Sequence, residues 1–298
     1  MLNKIKYYCW ACDFKNNTGE GNLARLFIKK NYAQDNCKVF TATNFKILNY
    51  KYLSPLIGIL FCWYFFIIKK KVVYLNYLPF WNFLLFILLP PKTILGPITG
   101  GAYYKNGNFF RKIFFPLFYK ISEFFLNFRN IQIYFSTELL KKYLKESTIC
   151  KGRFNYFLNY YKKKIIRDKK IDFLIYYRIH RNKESLFPYN FIKKLIMLGY
   201  KVHIVGDFLN NTSVVNHGYI SNKNVNNLLS QTSYSIASEE NIYSLFTMEC
   251  INNNVKIIIN RTHKNKIKFF KESFIILNFK NSFELNKLKN KNINFLKN

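Results

Sequence analysis

Acidic residues are scarce in this sequence. Its 298 residues include 15 Asp and Glu against 47 Lys and Arg, which gives a formal net charge of +32 at pH 7. Such an excess favours a polyanionic partner, namely nucleic acid, an anionic membrane surface or a phosphorylated substrate. The chain is also rich in Lys, Asn, Ile, Phe and Tyr, as an AT-rich coding sequence would favour, so composition alone accounts for part of the charge. The charge therefore supports an anionic partner without naming it.

The cysteines lack the spacing of a disulfide framework or of a complete zinc site. Six are present, at positions 9, 12, 37, 62, 150 and 250. The pair in "CWAC" has redox or metal spacing, but no second pair or nearby histidine completes a zinc site, so we predict a structural role in a buried first strand. The N-terminus also lacks a basic stretch followed by an apolar core and a cleavage site. These absences predict a reducing, cytoplasmic location.

No apolar run has the form of a clean membrane span. Residues 52–68 are at the lower limit of the length that crosses a bilayer, and residues 72–91 are interrupted by asparagines and prolines. We expect both runs to form buried helices and strands of an α/β domain. Three lysines at 69–71 follow a series of aromatic residues. The same region is therefore predicted to rest against an anionic membrane face, where each basic residue contributes about 1 kcal/mol.

Strand and helix patterns alternate along the chain. The first half opens with the predicted strand "KIKYYCWACDF", a glycine-bearing turn and helix in "NNTGEGNLARLFIKKNYA", and the strand "CKVFTAT". It closes with "STELLKKYL", a predicted helix capped by Ser136 or Thr137. After a charged stretch without periodicity, the alternation restarts at "IDFLIYYR". We therefore predict an α/β fold of two Rossmann-like domains, 1–155 and 171–298, joined by a linker at 156–170, with a cleft between their strand ends.

Four segments of the second half, which together cover residues 171–260, follow one another in a recognisable order. They are "YYRIHRNK", "VHIVGDF", "HGYISNKNVNNLLSQTSYSIASEE" and "NIYSLFTMECINNNVKIII". In order and spacing they resemble the donor-binding domain of retaining GT-B glycosyltransferases, most closely glycosyltransferase family 4. Arg178 and Lys183 have the family's five-residue offset, although Tyr177 replaces the usual Gly and Glu184 follows the Lys.

The resemblance implies a nucleotide-sugar donor site and the GT-B fold, in which two Rossmann-like domains face each other across a cleft. Arg178 and Lys183 would bind the donor diphosphate, together with Ser244 and Leu245 at the start of a helix predicted to begin near Tyr243 or Ser244. Free N–H groups and the dipole at a helix N-terminus attract phosphate. The diphosphate gains charge as the sugar bond breaks, so these donors would favour the transition state.

The resemblance also implies how the sugar nucleotide is held. In the family, two glutamates separated by seven residues bracket the donor, the second on the ribose hydroxyls and the first on the sugar. Glu249 takes the ribose position. The residue eight positions earlier is Asn241 rather than Glu, and Glu240 is one residue out of register, so Asn241 or Glu240 would face the donor sugar.

The first half offers fewer candidate site residues. Its segment "NNTGEGNLAR" is similar to the family's glycine-bearing first loop, which implies that Gly19, Glu20 and Gly21 approach the donor phosphate and the acceptor. The family often carries a histidine near the reacting carbon, but all four histidines of this chain lie in the second half. The catalytic residue is therefore left unassigned.

The resemblance implies transfer of a sugar, with retention of configuration, to a growing bacterial surface glycan such as lipopolysaccharide, O-antigen or capsule. No Asp-X-Asp motif is evident, so we predict a metal-independent reaction without a cofactor, on a glycan or lipid-linked acceptor at the inner face of the cell membrane. Two alternatives are a basic, aromatic nucleic-acid-binding protein and an integral membrane protein. The first would be expected to show a ribonucleoprotein, zinc or helix-turn-helix motif, and none is found in the sequence.

Overall fold

The computed structural model describes most of the chain, which divides into two compact units. The described residues are 6–15, 18–32, 36–41, 50–100, 109–129, 131–154, 169–179, 187–239 and 241–281, with positions 284 and 288. The units are Met1–Tyr160 and Tyr161–Asn298. Of the predicted linker at 156–170, only positions 169 and 170 are described, and the predicted domain boundaries stay a prediction.

The first unit is built on parallel strands. They are β1 (Tyr7–Ala11), β2 (Cys37–Thr41), β3 (Lys71–Tyr74), β4 (Ile94–Leu95), β5 (Ile133–Tyr134) and β6 (Gly152–Arg153). The first four form one sheet in the order β2-β1-β3-β4, and β5 pairs with β6. Val72, Val73 and Tyr74 of β3 are all buried, because helices cover both faces of a parallel sheet of this kind.

The first unit has five described helices. They are α1 (Gly19–Asn31), α2 (Tyr50–Ile67), α3 (Phe83–Leu88), α4 (Phe109–Phe128) and α5 (Glu146–Lys151). Trp10 of β1 is fully buried in a cluster with Cys62 of α2, Phe86 of α3 and Tyr119 of α4. Strand alternation points the neighbouring Cys9 to the opposite face. Helices α2, α3 and α4 therefore form one layer on the Trp10 face.

Arg129, at the end of α4, fixes α3 within this layer. Its guanidinium donates to the backbone carbonyls of Phe86, Leu89 and Pro90 at 2.5 to 3.1 Å. The last carbonyls of a helix have no intrahelical partner, so Arg129 supplies the hydrogen bonds that the end of α3 needs. Burial lowers the pKa of Arg129 to about 10, which leaves the group charged at neutral pH.

The second unit is a doubly wound sheet of six parallel strands. They are β7 (Ile171–Tyr177), β8 (Val202–Gly206), β9 (Val214–Asn216), β10 (Thr232–Ile236), β11 (Lys256–Asn260) and β12 (Phe274–Leu277). Their order is β12-β11-β10-β7-β8-β9, which is the 3-2-1-4-5-6 order of a Rossmann fold. The helices are α6 (Tyr189–Met197), α7 (Asn222–Ser230) and α8 (Leu245–Asn252). Ser221 and Ser244 cap α7 and α8, each by accepting a hydrogen bond from a backbone N–H three residues on.

The predicted fold class is confirmed, since each unit is α/β and its strands are parallel. One predicted helix is wrong in type: "STELLKKYL" forms a 3-10 helix at Glu138–Tyr143 rather than an α-helix. Among the described residues, no helix is long and apolar enough to cross a bilayer.

Candidate functional site

The second sheet has a topological switch point between β7 and β10. From β7 the chain continues through α6 to β8 on one side, whereas β10, on the other side of β7, leads through α8 to β11. Ligands of doubly wound sheets bind outside the carboxyl ends of the strands at such a point. Arg178 directly follows β7 and is exposed. The structure therefore places this predicted residue at the switch point.

Helix α8 begins at the same edge of the sheet. Ser244 is its N-cap, and the Ser244 hydroxyl accepts a hydrogen bond from the Thr247 N–H at 3.1 Å. The predicted start of this helix is thus confirmed. The first N–H groups of a helix lack intrahelical acceptors and lie at the positive end of the helix dipole. Ser244 and Leu245 consequently lie where an anion would meet backbone N–H groups.

A pair of aromatic rings joins the end of β7 to the first turn of α8. The ring centroids of Tyr176 and Phe246 are 5.7 Å apart. Arg178 lies within hydrogen-bonding reach of the Tyr176 side chain. Burial raises the pKa of the Tyr176 hydroxyl, and the positive charge of Arg178 opposes this shift. The two rings therefore hold a cationic side chain and a helix N-terminus close to each other.

Asp207 fixes the loop that follows β7. Its carboxylate accepts a hydrogen bond from the Ile179 N–H at 2.6 Å. It also hydrogen-bonds Tyr219, and burial together with this bond raises the pKa of the Tyr219 hydroxyl to about 12. Gly206, the residue before Asp207, has φ +107°, and a Cβ there would lie 2.2 Å from the carbonyl oxygen of Tyr177. Only glycine fits at this position, because both the backbone conformation and the close approach exclude a side chain.

Glu249 lies in the second turn of α8 and is half-buried, like Asn241 in the loop before the helix. The same helix buries Met248 and Ile251. Arg178, the first turn of α8 and Glu249 are thus carried by neighbouring elements at one edge of one sheet. Their roles in binding, and that of Asn241, stay predictions.

Two predicted residues, Lys183 and Glu240, lie outside the described residues. Glu239, the residue before Glu240, contacts another protein side chain. The distance between its Oε2 and the His263 Nε2 is 3.1 Å. The Glu239–His263 pair therefore joins the loop after β10 to the 3-10 helix that follows β11.

In the first unit, Gly19, Glu20 and Gly21 occupy the first turn of α1 rather than the loop before it. The predicted glycine loop is wrong in this respect, because Thr18 acts as the N-cap and its hydroxyl accepts from the Gly21 N–H at 3.1 Å. A Cβ at Gly21 would lie 2.2 Å from the Lys15 carbonyl oxygen. The glycine therefore permits the chain before the helix to pack closely on it.

The side chain of Asn76 forms hydrogen bonds with the loop between β1 and α1. It is fully buried, and its Oδ1 accepts from the Cys12 N–H at 2.9 Å and from the Asp13 N–H at 3.3 Å. Its Nδ2 donates to the carbonyls of Asp13 and Glu20. Asn76 follows β3, the neighbour of β1, so one side chain joins the carboxyl ends of the two central strands.

Sequence reasoning missed Tyr176, Phe246 and Asn76 as parts of these two regions. An aromatic residue at a strand end and another at a helix start are ordinary core candidates, and only their contact shows that they link two elements. Asn76 is one of the asparagines that interrupt the apolar run at 72–91. Its position after a strand was the available clue, since buried asparagine needs several partners.

No protein-family model matches this chain, and no curated protein matches it. Among solved structures, the chain is similar to the UDP-GlcNAc 2-epimerase of Methanocaldococcus jannaschii, solved with UDP-GlcNAc and UDP. The TM-score is 0.46 at 10% identity, over 94% of this chain and 90% of that chain. It is also similar to the E. coli heptosyltransferase WaaC, solved with ADP-2-deoxy-2-fluoro heptose, with a TM-score of 0.39 at 7% identity over 96% of this chain and 99% of that chain.

A third similar structure is the iron-containing dodecameric glycosyltransferase TibC of enterotoxigenic E. coli. Its TM-score is 0.28 at 11% identity, over 92% of this chain and 63% of that chain. These solved structures have GT-B folds. At these identities and TM-scores, the likeness identifies neither an activity nor a substrate for this chain, and membership of glycosyltransferase family 4 stays a prediction.

Proposed function

We propose that this protein is a glycosyltransferase of the GT-B type that binds a nucleotide-sugar donor at the carboxyl edge of the second sheet. One observation carries the proposal, namely the contact between Tyr176 and Phe246. The contact joins the end of β7, which Arg178 directly follows, to the first turn of α8 at the topological switch point, and a cation combined with free N–H groups would suit a diphosphate.

The chemistry follows from these groups. When the bond between the sugar C1 and the diphosphate oxygen breaks, negative charge grows on the diphosphate. Arg178 and the N–H groups after Ser244 are already in place, so they stabilise that charge without reorganising. Asp207 contributes as a positioning residue, because its bond to the Ile179 N–H fixes the loop that follows β7.

Glu249 is proposed to accept hydrogen bonds from the ribose hydroxyls, and Asn241 or Glu240 to contact the donor sugar. Lys183 would add a second cation at the diphosphate. These assignments, like retention of configuration and a bacterial surface glycan as acceptor, rest on the resemblance of the four segments to family 4. By the same resemblance, Gly19, Glu20 and Gly21 of the first unit are proposed to contact the donor phosphate and the acceptor.

A thermal-shift screen of nucleoside diphosphates and nucleotide sugars tests the proposal. A ligand present at 100 times its dissociation constant adds about 2.7 kcal/mol to the free energy of unfolding. We expect a nucleoside diphosphate to raise the melting temperature and the matching nucleoside, which lacks phosphate, to raise it much less. If no nucleoside diphosphate or nucleotide sugar shifts the transition at millimolar concentration, the donor site does not exist.

A further inference from the structure

Helices α2, α3 and α4 present a continuous apolar surface to the outside of the first unit. We call the exposed side chains of these three helices the three-helix face. On α2 the exposed positions include Leu53, Leu56, Leu60, Trp63 and Ile67, which are spaced by three or four residues and therefore lie along one side of the helix. Leu60 is 70% exposed and Ile67 is 71% exposed, so this row of side chains is accessible to solvent.

Helix α4 repeats the pattern. Its exposed side chains include Ile113, Leu117, Phe124 and Phe128, and Phe128 is 78% exposed. The polar residues Ser122 and Glu123 are buried on the inner side of the same helix. Soluble helices show the reverse distribution, with charged side chains outside and apolar side chains inside. The outer side of α4 is therefore suited to an apolar environment.

Side-chain contacts join the three helices into one surface. The Trp63 indole of α2 donates to the Leu88 carbonyl at 2.7 Å. The rings of Phe83 and Phe118, from α3 and α4, have centroids 5.0 Å apart. Leu84, the residue after Phe83 in α3, is 52% exposed and continues the surface. A contiguous exposed apolar patch bordered by polar residues is typical of an interaction site.

The charges around this surface have one sign. Residues 50–129 contain ten Lys and Arg residues and one acidic residue, Glu123. Glu123 is buried, and its carboxylate accepts from the Lys145 N–H at 2.7 Å. Lys69 and Lys70 are exposed directly after α2, and Lys92 is exposed shortly after α3. The apolar surface is thus bordered by cations and has no exposed carboxylate among its described residues.

We propose that the three-helix face binds the surface of an anionic lipid bilayer. The inner sides of the helices pack on the sheet, so only their outer sides can contact lipid. These outer sides would enter the boundary between the lipid headgroups and the acyl chains. Trp and Tyr side chains favour that boundary, and the lysines would contact anionic headgroups. A second copy of this chain is a poorer occupant, because two such surfaces would bring their lysines together.

Co-sedimentation with lipid vesicles tests this surface. Wild-type protein is mixed with vesicles of phosphatidylcholine alone or of phosphatidylcholine with phosphatidylglycerol. We expect binding to the anionic vesicles and much weaker binding to the neutral ones. The lysine variant Lys69→Asn with Lys70→Gln should bind anionic vesicles about 30-fold more weakly, since each lysine contributes about 1 kcal/mol. Asn is used at position 69 because it tolerates the left-handed backbone there, where φ is 57°.

The apolar contribution is tested separately. Leu60→Gln with Phe124→Gln should weaken binding about 100-fold, since two side chains that leave water contribute about 1.5 kcal/mol each or more. Matched controls lie in the second unit, where Lys193, Lys201, Met197 and Val215 are exposed. Lys193→Gln with Lys201→Gln, and Met197→Gln with Val215→Gln, should bind vesicles like the wild type.

Folding and donor binding are measured on the same variants. Each should melt cooperatively and keep its response to nucleoside diphosphate, so failure of this proposal is separable from failure of the donor site. The proposal is overturned if wild-type protein does not bind anionic vesicles, or if the face and control variants lose binding equally. It is also overturned if the protein is a dimer that Leu60→Gln with Phe124→Gln converts to monomers, because a second copy then covers the face.

Discussion

At the scale of single residues, a small number of contacts position the candidate donor site. Arg178 is placed by its neighbour Tyr176, by the ring contact of Tyr176 with Phe246, and by the bond from the Ile179 N–H to Asp207. An exposed arginine directly after a strand would by itself be an ordinary solvated residue. Its adjacency to a capped helix N-terminus is what makes it a candidate for binding phosphate.

Replacement of Arg178 separates a specific site from the general positive charge of the chain. We expect Arg178→Ala to weaken nucleoside diphosphate binding about 10 to 150-fold, which corresponds to a charge-assisted hydrogen bond of about 1.5 to 3 kcal/mol. Isothermal titration calorimetry measures the affinity. Lys170→Ala is the control, since Lys170 is exposed and precedes β7 at the opposite edge of the sheet. Equal losses in both variants would indicate bulk electrostatics and not a site.

Substitutions of Glu249 and Asn241 are predicted to affect different steps of donor binding and transfer. Glu249→Gln should weaken binding of free nucleoside diphosphate and intact nucleotide sugar alike, by about 10 to 150-fold, because every such donor carries ribose. Asn241→Ala should leave the affinity for the free diphosphate unchanged and alter turnover or the choice of sugar. Calorimetry and transfer assays measure these two effects. Unchanged nucleotide affinity in Glu249→Gln would mean that α8 only packs against the sheet.

At the scale of secondary-structure elements, side chains that satisfy backbone groups decide where helices lie. Arg129 does this for α3, which is only Phe83–Leu88 and too short to be stable on its own. The same side chain belongs to the segment that ends α4, so it fixes two of the three helices whose outer sides form the three-helix face.

Loss of the Arg129 guanidinium should destabilise this layer. Arg129→Met keeps an apolar stem but removes the guanidinium that donates to the Phe86 and Leu89 carbonyls, whereas the Pro90 carbonyl still accepts from the Thr93 N–H, so we expect a loss of about 2 to 4 kcal/mol in the free energy of unfolding. Urea denaturation measures it. The exposed Arg153 on β6 provides the control, and Arg153→Met should change stability by less than about 0.5 kcal/mol. Equal stability of the two variants would show that the end of α3 finds other partners.

Strands β8 and β9 bring two histidines together, which predicts a pH dependence of stability. His203 Nδ1 and His217 Nε2 are 2.9 Å apart. Burial lowers the pKa of both imidazoles, and His217 and Lys201 further lower that of His203, while Asp172 opposes the shift. In the unfolded chain both would titrate near pH 6.5, so below that pH the unfolded state binds more protons and stability falls.

We therefore expect the melting temperature to decrease as the pH is lowered from 7.5 to 5.5. The double variant His203→Gln with His217→Gln should show a flatter profile over the same range, because neither side chain then takes up a proton on unfolding. Differential scanning calorimetry in buffers of constant ionic strength measures both. A wild-type melting temperature that is constant over this range, or an equally steep profile in the double variant, would contradict the prediction.

At the scale of the whole molecule, the exposed large apolar side chains of the described residues are concentrated in the first unit, while the candidate donor site lies in the second. If the three-helix face rests on the bilayer without crossing it, protein expressed in cells should sediment with membranes and be released by a carbonate wash. Immunoblotting of the washed pellet and supernatant measures the release. Retention after carbonate would point to insertion and would revive the interpretation as an integral membrane protein.

The sequence alone determined the α/β class, the restart of the pattern in the second half and the cap of α8. These features follow from periodicity and from Ser, Thr, Gly and Pro at element ends, which act over a few residues. It predicted one glycine loop that is instead the first turn of α1, because Thr18 can cap a helix as readily as it can belong to a loop. The exposed arginine after β7 was also found from sequence, through its spacing in a motif.

Tertiary structure alone decided two other features. Strand order placed β7 beside β10, and this adjacency brings Tyr176 to Phe246 across about 70 residues of chain, a contact that no local pattern encodes. The sequence also did not show which sides of α2 and α4 face outward. Helix α2 is apolar on nearly all sides, and α4 buries its polar residues Ser122 and Glu123, so neither pattern shows which side the sheet will cover. Packing around Trp10 determines which side of each helix is buried, because one side fills the core and the remaining apolar side is left exposed.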